Sequence, residues 1–138
     1  AYLAGLQHIS RCVLLPSPPP SPLRITYLSY DFRDHPMGHL TQGIVTSHTA
    51  GRVVVQAASY GPADNSTYRR RIASGVDRFD DMEGEGELQA ACHRIAESFG
   101  PHIVVDLMGL TRGTRTGLAA LRPGPIVVNY LGYPGTMG

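Results

Sequence analysis

Two rhythms of apolar and polar positions alternate along this chain. "LRITYLSY", "RVVVQAASY", "PHIVVDLMG" and "GPIVVNYLG" are short apolar runs rich in β-branched and aromatic residues, each bounded by Pro, Gly or charged residues. Runs of that length and composition predict buried strands, and "DRFDDM" predicts a shorter one. Between them apolar residues recur at helical spacing: Leu40, Ile44 and Val45 in "MGHLTQGIVTSHT", and Leu88, Ala91, Ile95 and Phe99 in "GELQAACHRIAESFG". A helix starting near Pro36 is expected, because proline is tolerated in a first turn. "NSTYRRRIASGV" opens with capping residues and then reads helical, and "TRGTRTGLAALRP" reads as a helix ended by proline. Strands alternating with helices predict an α/β domain, a Rossmann-like parallel sheet with helices on both faces.

The start of the chain has a different character. "AYLAGLQHISRCVLL" carries Leu3, Leu6, Ile9 and Val13 near helical spacing and predicts a helical lead-in over residues 1–15. The Pro-rich stretch 16–23 follows as an extended, semi-rigid linker. Residues 24–138 then form one domain, since 138 residues are too few for two of ordinary size. A first residue that is Ala and a turn-rich last stretch, "GYPGTMG", read as a piece cut from a longer protein.

Composition narrows the function classes. A net charge of +1 gives no general attraction to nucleic acid or to an anionic membrane, so neither is expected as a partner. All twelve basic residues are arginine, which excludes lysine chemistry within this stretch. The run Arg69 to Arg71 is expected to be a solvated helix face. Cys12 and Cys92 lie far apart with no metal-ligand spacing, so a reducing, intracellular compartment is the simpler reading. No stretch approaches the ~20 apolar residues of a membrane helix.

In a parallel α/β sheet ligands sit beyond the carboxyl ends of the strands. The stretches there, "SYDFRDHPMGH", "SYGPADNS", "DLMGLTRGTR" and "YLGYPGTMG", are rich in Gly, Asp, His and Arg, and none holds a dinucleotide or P-loop glycine motif. His35 and His39 have HxxxH spacing, but no Glu follows in zincin order and no third ligand is evident, so no metal is expected. Asp31 either orients its neighbours or simply caps the next turn or pairs with Arg33. Asp106 is expected to satisfy loop amides, and His48, His93 and His102 to lie at the surface or sheet edge.

"RITYLSYDFRDHPMGHL" followed by "GLTRGTRTGLAALRPGPIVVNYLGYPGT" resembles the start of the catalytic region of the protein O-GlcNAc transferases, glycosyltransferase family 41, over residues 24–138. The resemblance implies the amino-terminal half of a GT-B glycosyltransferase, with the carboxy-terminal half and an upstream tetratricopeptide-repeat array absent from this stretch. It implies an inverting enzyme moving N-acetylglucosamine from UDP-GlcNAc to Ser/Thr hydroxyls of acceptor proteins, with no cofactor beyond that donor substrate. His35 matches the histidine facing the donor and Asp31 the acid of the DF pair, the two candidate catalytic residues. Pro36, Met37 and Leu40 match the sugar-pocket lining, and Leu131, Gly132 and Pro134 match the turn packed against the sugar. The sequence departs from the family at Gly38, where Ser is common, at Arg33-Asp34 in place of Gly-Asn, and at Gly124 in place of Ala. Plant O-fucosyltransferases share the RPxP and GYP features without the HPxxHL pairing. They are the alternative activity, and a non-catalytic interaction domain is the alternative class.

Overall fold

The computed structural model describes residues 18–137; the expected lead-in helix and the first linker residues lie outside them. Five strands are present, β1 (Leu23–Ser29), β2 (Val53–Ser59), β3 (Arg78–Asp81), β4 (Ile103–Asp106) and β5 (Ile126–Asn129). They alternate with four helices, α1 (Pro36–Thr46), α2 (Thr67–Gly75), α3 (Leu88–Ser98) and α4 (Thr116–Ala120). All pairings are parallel, in the order β3-β2-β1-β4-β5. This is the expected Rossmann-like α/β architecture.

Period-two alternation sorts each strand's residues between two cores. Tyr27, Val55 and Ala57 point to one face, where α1 brings Val45 and α2 brings Ile72. Leu28, Ala58 and Val104 point to the other, where α3 supplies Ala91 and Ile95 and α4 supplies Leu118. Right-handed crossovers explain the division: leftward steps β1-β2-β3 place their helices on one face, and rightward steps to β4 and β5 place theirs on the other. No crossover helix can therefore cover β5 on the α1 side, and Ile126 and Val128 stand exposed there, with Leu40 and Ile44 exposed on α1.

A buried polar thread pins the register of the first three strands. Thr26 donates to Gln56 Oε1 at 2.6 Å, and Gln56 Nε2 donates to Asp80 Oδ2. Arg78 then forks onto both Asp80 oxygens at 2.6 and 3.1 Å. Burial alone would raise the Asp80 carboxyl; the hydrogen bonds from Arg78 and Gln56 and the Arg78 and Arg94 charges outweigh it and hold it below the usual carboxylate range. A one-residue slip would leave these groups buried without partners, which is expensive.

Two sequence expectations are adjusted. The last helix is a single short turn, because residues 111–114 are spent on a loop in which Thr111 and Thr114 hydroxyls donate to the Met108 and Gly109 carbonyls. His102, expected at an edge, is half-buried and structural: its Nδ1 accepts the Arg24 backbone N–H at 3.0 Å, tying the entry of β4 to β1.

Burial, then the Arg24 charge, lowers the His102 imidazole below its ordinary value. The folded chain thus holds this proton less tightly than the unfolded chain. The contribution is complete above ~6.5 and is lost as pH falls below that value. His102→Asn keeps an acceptor that does not titrate, so its melting temperature should fall less between about pH 7 and pH 5 than that of the parent chain. Equal falls in both chains would contradict this role.

Candidate active site

Strand order reverses between the carboxyl ends of β1 and β4, and in sheets of this kind that switch point is the candidate ligand crevice. After β1 the chain turns to one face through α1, and after β4 it turns to the other through α4, so the two exits diverge. Loop 30–35 occupies this divide. Asp31, 5% exposed, receives its place from Ser29, whose hydroxyl accepts the Asp31 N–H at 2.9 Å. Arg33 closes over the carboxylate, its Nε and Nη2 donating to Oδ1 at 3.1 and 3.0 Å. Asp31 Oδ2 lies 3.4 Å from His35 Nδ1.

His35 is the N-cap of α1. Its backbone is extended, and its Nδ1 accepts the Met37 N–H at 3.2 Å, satisfying one of the free donors of the first turn. A nitrogen that accepts carries no proton, so the neutral ring holds its proton on Nε2. Nε2 has no protein hydrogen-bond partner among the described residues, and the side chain is 39% exposed. The cap, the positive end of α1 and an outward N–H donor therefore converge on one spot. Pro36 is exposed in the first turn, Met37 packs into the core beneath, and Leu40 projects one turn on, 60% exposed.

Gly38 accounts for the departure from serine. A Cβ there would stand 2.1 Å from the Arg33 carbonyl oxygen and 3.0 Å from that of Asp31, so the loop bearing Arg33 folds down onto the helix only over glycine. His39 is a surface residue: its Nε2 lies 2.7 Å from Asp34 Oδ1 and its ring lies against Tyr68 with centroids 3.9 Å apart. It takes no part in the crevice.

Arg69 corrects the expectation of a solvated basic face. It is buried on α2, whereas Arg70 and Arg71 are exposed. Its guanidinium donates to the Phe32 carbonyl at 3.2 Å, to Ser59 Oγ at 2.8 Å and to Asp81 at 2.6 Å, and stands 5.0 Å from the Phe79 ring centre. One side chain thus ties the site loop to the ends of β2 and β3. The signal was available, because Arg69 is three residues from Ile72 and three from the N-cap Ser66, on the buried face of α2.

The loop after β5 stands across β4 from His35. Leu131 takes a left-handed conformation (φ 68°) and is exposed, as is Pro134. Gly132 is required by the fold itself, since a Cβ there would lie 1.8 Å from the Leu107 carbonyl oxygen; its contact brings the turn onto the β4 exit. Sequence-named residues therefore form two groups, Asp31, His35, Pro36 and Met37 on one side of β4 and Leu131, Gly132 and Pro134 on the other.

Asp106, between the groups, accepts the Met108 and Gly109 amides at 2.9 and 3.2 Å, as expected. Burial nevertheless raises its carboxyl above the ordinary value, against those amides and the nearby Asn129. Asn129 Nδ2 lies close enough to favour the carboxylate, yet makes no hydrogen bond of good geometry. Both residues line a cavity of about 490 Å³ between α4 and β5, with Leu110, Thr116 and Val127. Among the described residues no three His, Cys, Asp or Glu are placed to hold a metal ion, and no helix is long and apolar enough to cross a membrane.

Fold and site together define a doubly wound α/β domain with a charged loop and a capped helix start at the switch point of its sheet. A model of glycosyl transferase family 41 matches residues 16–138, and the chain belongs to that family. It is 38% identical over 116 residues, 84% of its length, to a Caenorhabditis elegans UDP-N-acetylglucosamine–peptide N-acetylglucosaminyltransferase. It is 35% identical over 116 residues to the probable enzyme SEC of Arabidopsis thaliana, and 33% identical over 124 residues, 87% of its length, to the probable enzyme SPINDLY of the same plant. These stretches make up 10%, 12% and 13% of the respective relatives, so the chain spans a small part of their length. A solved structure of a Thermobaculum terrenum O-GlcNAc transferase mutant superposes with a TM-score of 0.78 at 26% identity, covering 89% of this chain and 23% of that one.

Arg69→Met should destabilise the domain by about 2–3 kcal/mol, the scale of a lost charged hydrogen bond with a buried acceptor left unpaired. Arg69→Lys should recover only part, because an ammonium cannot serve three acceptors in the same fork. Denaturant unfolding checks both. A loss within about 0.5 kcal/mol for Arg69→Met would show that the loop is held by other means.

Proposed function

We propose that this chain is part of an inverting glycosyltransferase that moves N-acetylglucosamine from UDP-GlcNAc to Ser or Thr hydroxyls of acceptor proteins. Family membership and the names of its relatives support the reaction class. The observation that carries the reading is the capped amino terminus of α1, where His35 holds its proton on Nε2 beside the crevice.

Glycosyl transfer builds negative charge on the leaving diphosphate as the bond to the anomeric carbon breaks. A preorganised donor aimed at that charge is stronger in the transition state than in the ground state. His35 Nε2–H supplies such a donor to a phosphate or sugar oxygen, and the positive end of the α1 dipole adds to it. Asp31 is the orienting acid: its carboxylate is engaged by Arg33 and does not serve as a base for the acceptor hydroxyl. Pro36 and Leu40 on one side, with Met37 packed beneath them, and Leu131, Gly132 and Pro134 on the other, form walls that exclude water from the sugar. The chemistry needs no metal or cofactor beyond the donor substrate. The rest of the catalytic region and an upstream repeat array complete the enzyme, which works in the cytoplasm and/or nucleus. HPxxHL after the first strand favours N-acetylglucosamine over fucose.

The cap gives His35 a structural share that must be separated from its chemistry. In the enzyme carrying this domain, His35→Ala should lower kcat at least ten-fold and also cost about 1 kcal/mol as a lost N-cap. His35→Asn preserves the cap and removes the imidazole, so it should retain the parent's melting temperature and still lose kcat. Near-normal kcat in His35→Asn would reduce His35 to a helix cap.

A further inference from the structure

Arg33 is a departure from the family pattern, and it sits in direct contact with the residues that define the site. Its guanidinium lies 5.2 Å from the Tyr30 ring centre and engages Asp31 Oδ1 through two nitrogens, while Oδ2 of the same carboxylate lies 3.4 Å from His35 Nδ1. His35 Nδ1 in turn accepts the Met37 N–H. One nitrogen cannot accept from Met37 and donate to Asp31 together. Left uncompensated, a buried carboxylate at this distance would draw a proton to Nδ1, by switching the tautomer or by creating the imidazolium. Either change ejects the Met37 N–H and undoes the cap.

We propose that Arg33 is a positioning residue that acts through Asp31: by engaging Oδ1 and countering the carboxylate's charge it keeps His35 Nδ1 on the helix amide and the proton on Nε2. The inference rests on the functional reading above for its catalytic meaning, though not for its physical content. Other charges around the pair do not supply the same lock. Tyr60, at the end of β2, has its phenol driven up by burial and then by Asp106, against the Arg115 amide and charge, so it stays neutral. Arg69 of α2 reaches the loop only through the Phe32 carbonyl, and Arg115 lies over the Tyr60 ring. Asp34 is engaged by His39, and its backbone N–H by Asp64, on the exposed side.

The lock also gives Gly38 a purpose. Only glycine lets the Arg33 carbonyl stand so close to α1, and in this loop conformation the Arg33 side chain lies over Asp31. The Arg33 substitution and the glycine thus belong to one local solution.

Imidazole nitrogen NMR on this 138-residue chain tests the proposal without any activity measurement. The parent should show His35 as the Nε2–H tautomer. Arg33→Gly should move the proton to Nδ1 and raise the His35 titration midpoint by about one pH unit, as expected for a newly exposed carboxylate neighbour. Arg33→Gln, closer in shape, should do the same and serves if the glycine variant folds poorly. Arg33→Lys, which restores the charge, should restore most of the midpoint. In an Asp31→Asn background the Arg33 substitutions should have no effect. An unchanged tautomer and midpoint in both Arg33→Gly and Arg33→Gln, or an equal shift with Asp31 removed, would overturn the proposal. In the complete enzyme, Arg33→Gln should move the acid limb of the kcat profile upward, a change that simple loosening of the loop would not give. The expected titration shift together with unaffected transfer by His35→Asn would sustain the lock and remove only the catalytic reading.

Discussion

A single buried guanidinium holds the working edge of this domain together. Arg69 extends from α2 beneath the loop after β1 and offers its donors to a backbone carbonyl, a strand-end hydroxyl and a carboxylate from three successive chain segments. The carboxyl ends of parallel strands otherwise diverge, with loops free to adopt many conformations at an entropic cost of about 1–2 kcal/mol per ordered residue. Cross-linking them through one planar, permanently charged group limits that freedom. With Phe32 fixed, the loop 30–35 can present Asp31 and His35 at defined distances, and α1 begins at a defined point. The polar thread from Thr26 through Gln56 to Asp80 performs the matching task inside the sheet.

The alternating runs made the sheet legible, because a strand buried on both faces must be continuously apolar and a covering helix must repeat near 3.6 residues. Four of the five strands follow from that rule; β3, Arg78–Asp81, is mostly charged, and the start of α1 follows from proline's fit to a first turn. The final helix is shorter than its sequence pattern suggests because threonine hydroxyls in residues 111–114 compete for backbone carbonyls and stabilise a loop instead. Sequence reading treated Arg69 like Arg70 and Arg71 because composition gives a run of arginines one meaning. Helical geometry gives it another: only one of the three falls on the face shared with Ile72.

The residues of the candidate site were named from the sequence, and their contacts were not. His35 was named through the resemblance of its HPxxHL stretch to the family, but its service as the N-cap, and hence the location of its proton, depends on backbone angles that no spacing encodes. Asp31 had been equally compatible with orienting neighbours and with pairing to Arg33; the structure brings both together on one carboxylate. Gly132 reads as a place where a ligand could approach, and in the fold its missing side chain already admits the Leu107 carbonyl. Exposure of Ile126 and Val128 has a topological cause, since right-handed crossovers leave that side of β5 without a helix of its own.

The central claim is that the crevice between β1 and β4, with His35 Nε2 as its donor, is where the sugar nucleotide is held. A crystal structure of the complete enzyme with UDP-GlcNAc bound tests it directly. The account predicts a phosphate or sugar oxygen within about 3.2 Å of His35 Nε2, with the turn containing Leu131 and Gly132 against the sugar. A donor seated instead in the cavity between α4 and β5 beside Asp106 and Asn129, with His35 unpartnered, would contradict it.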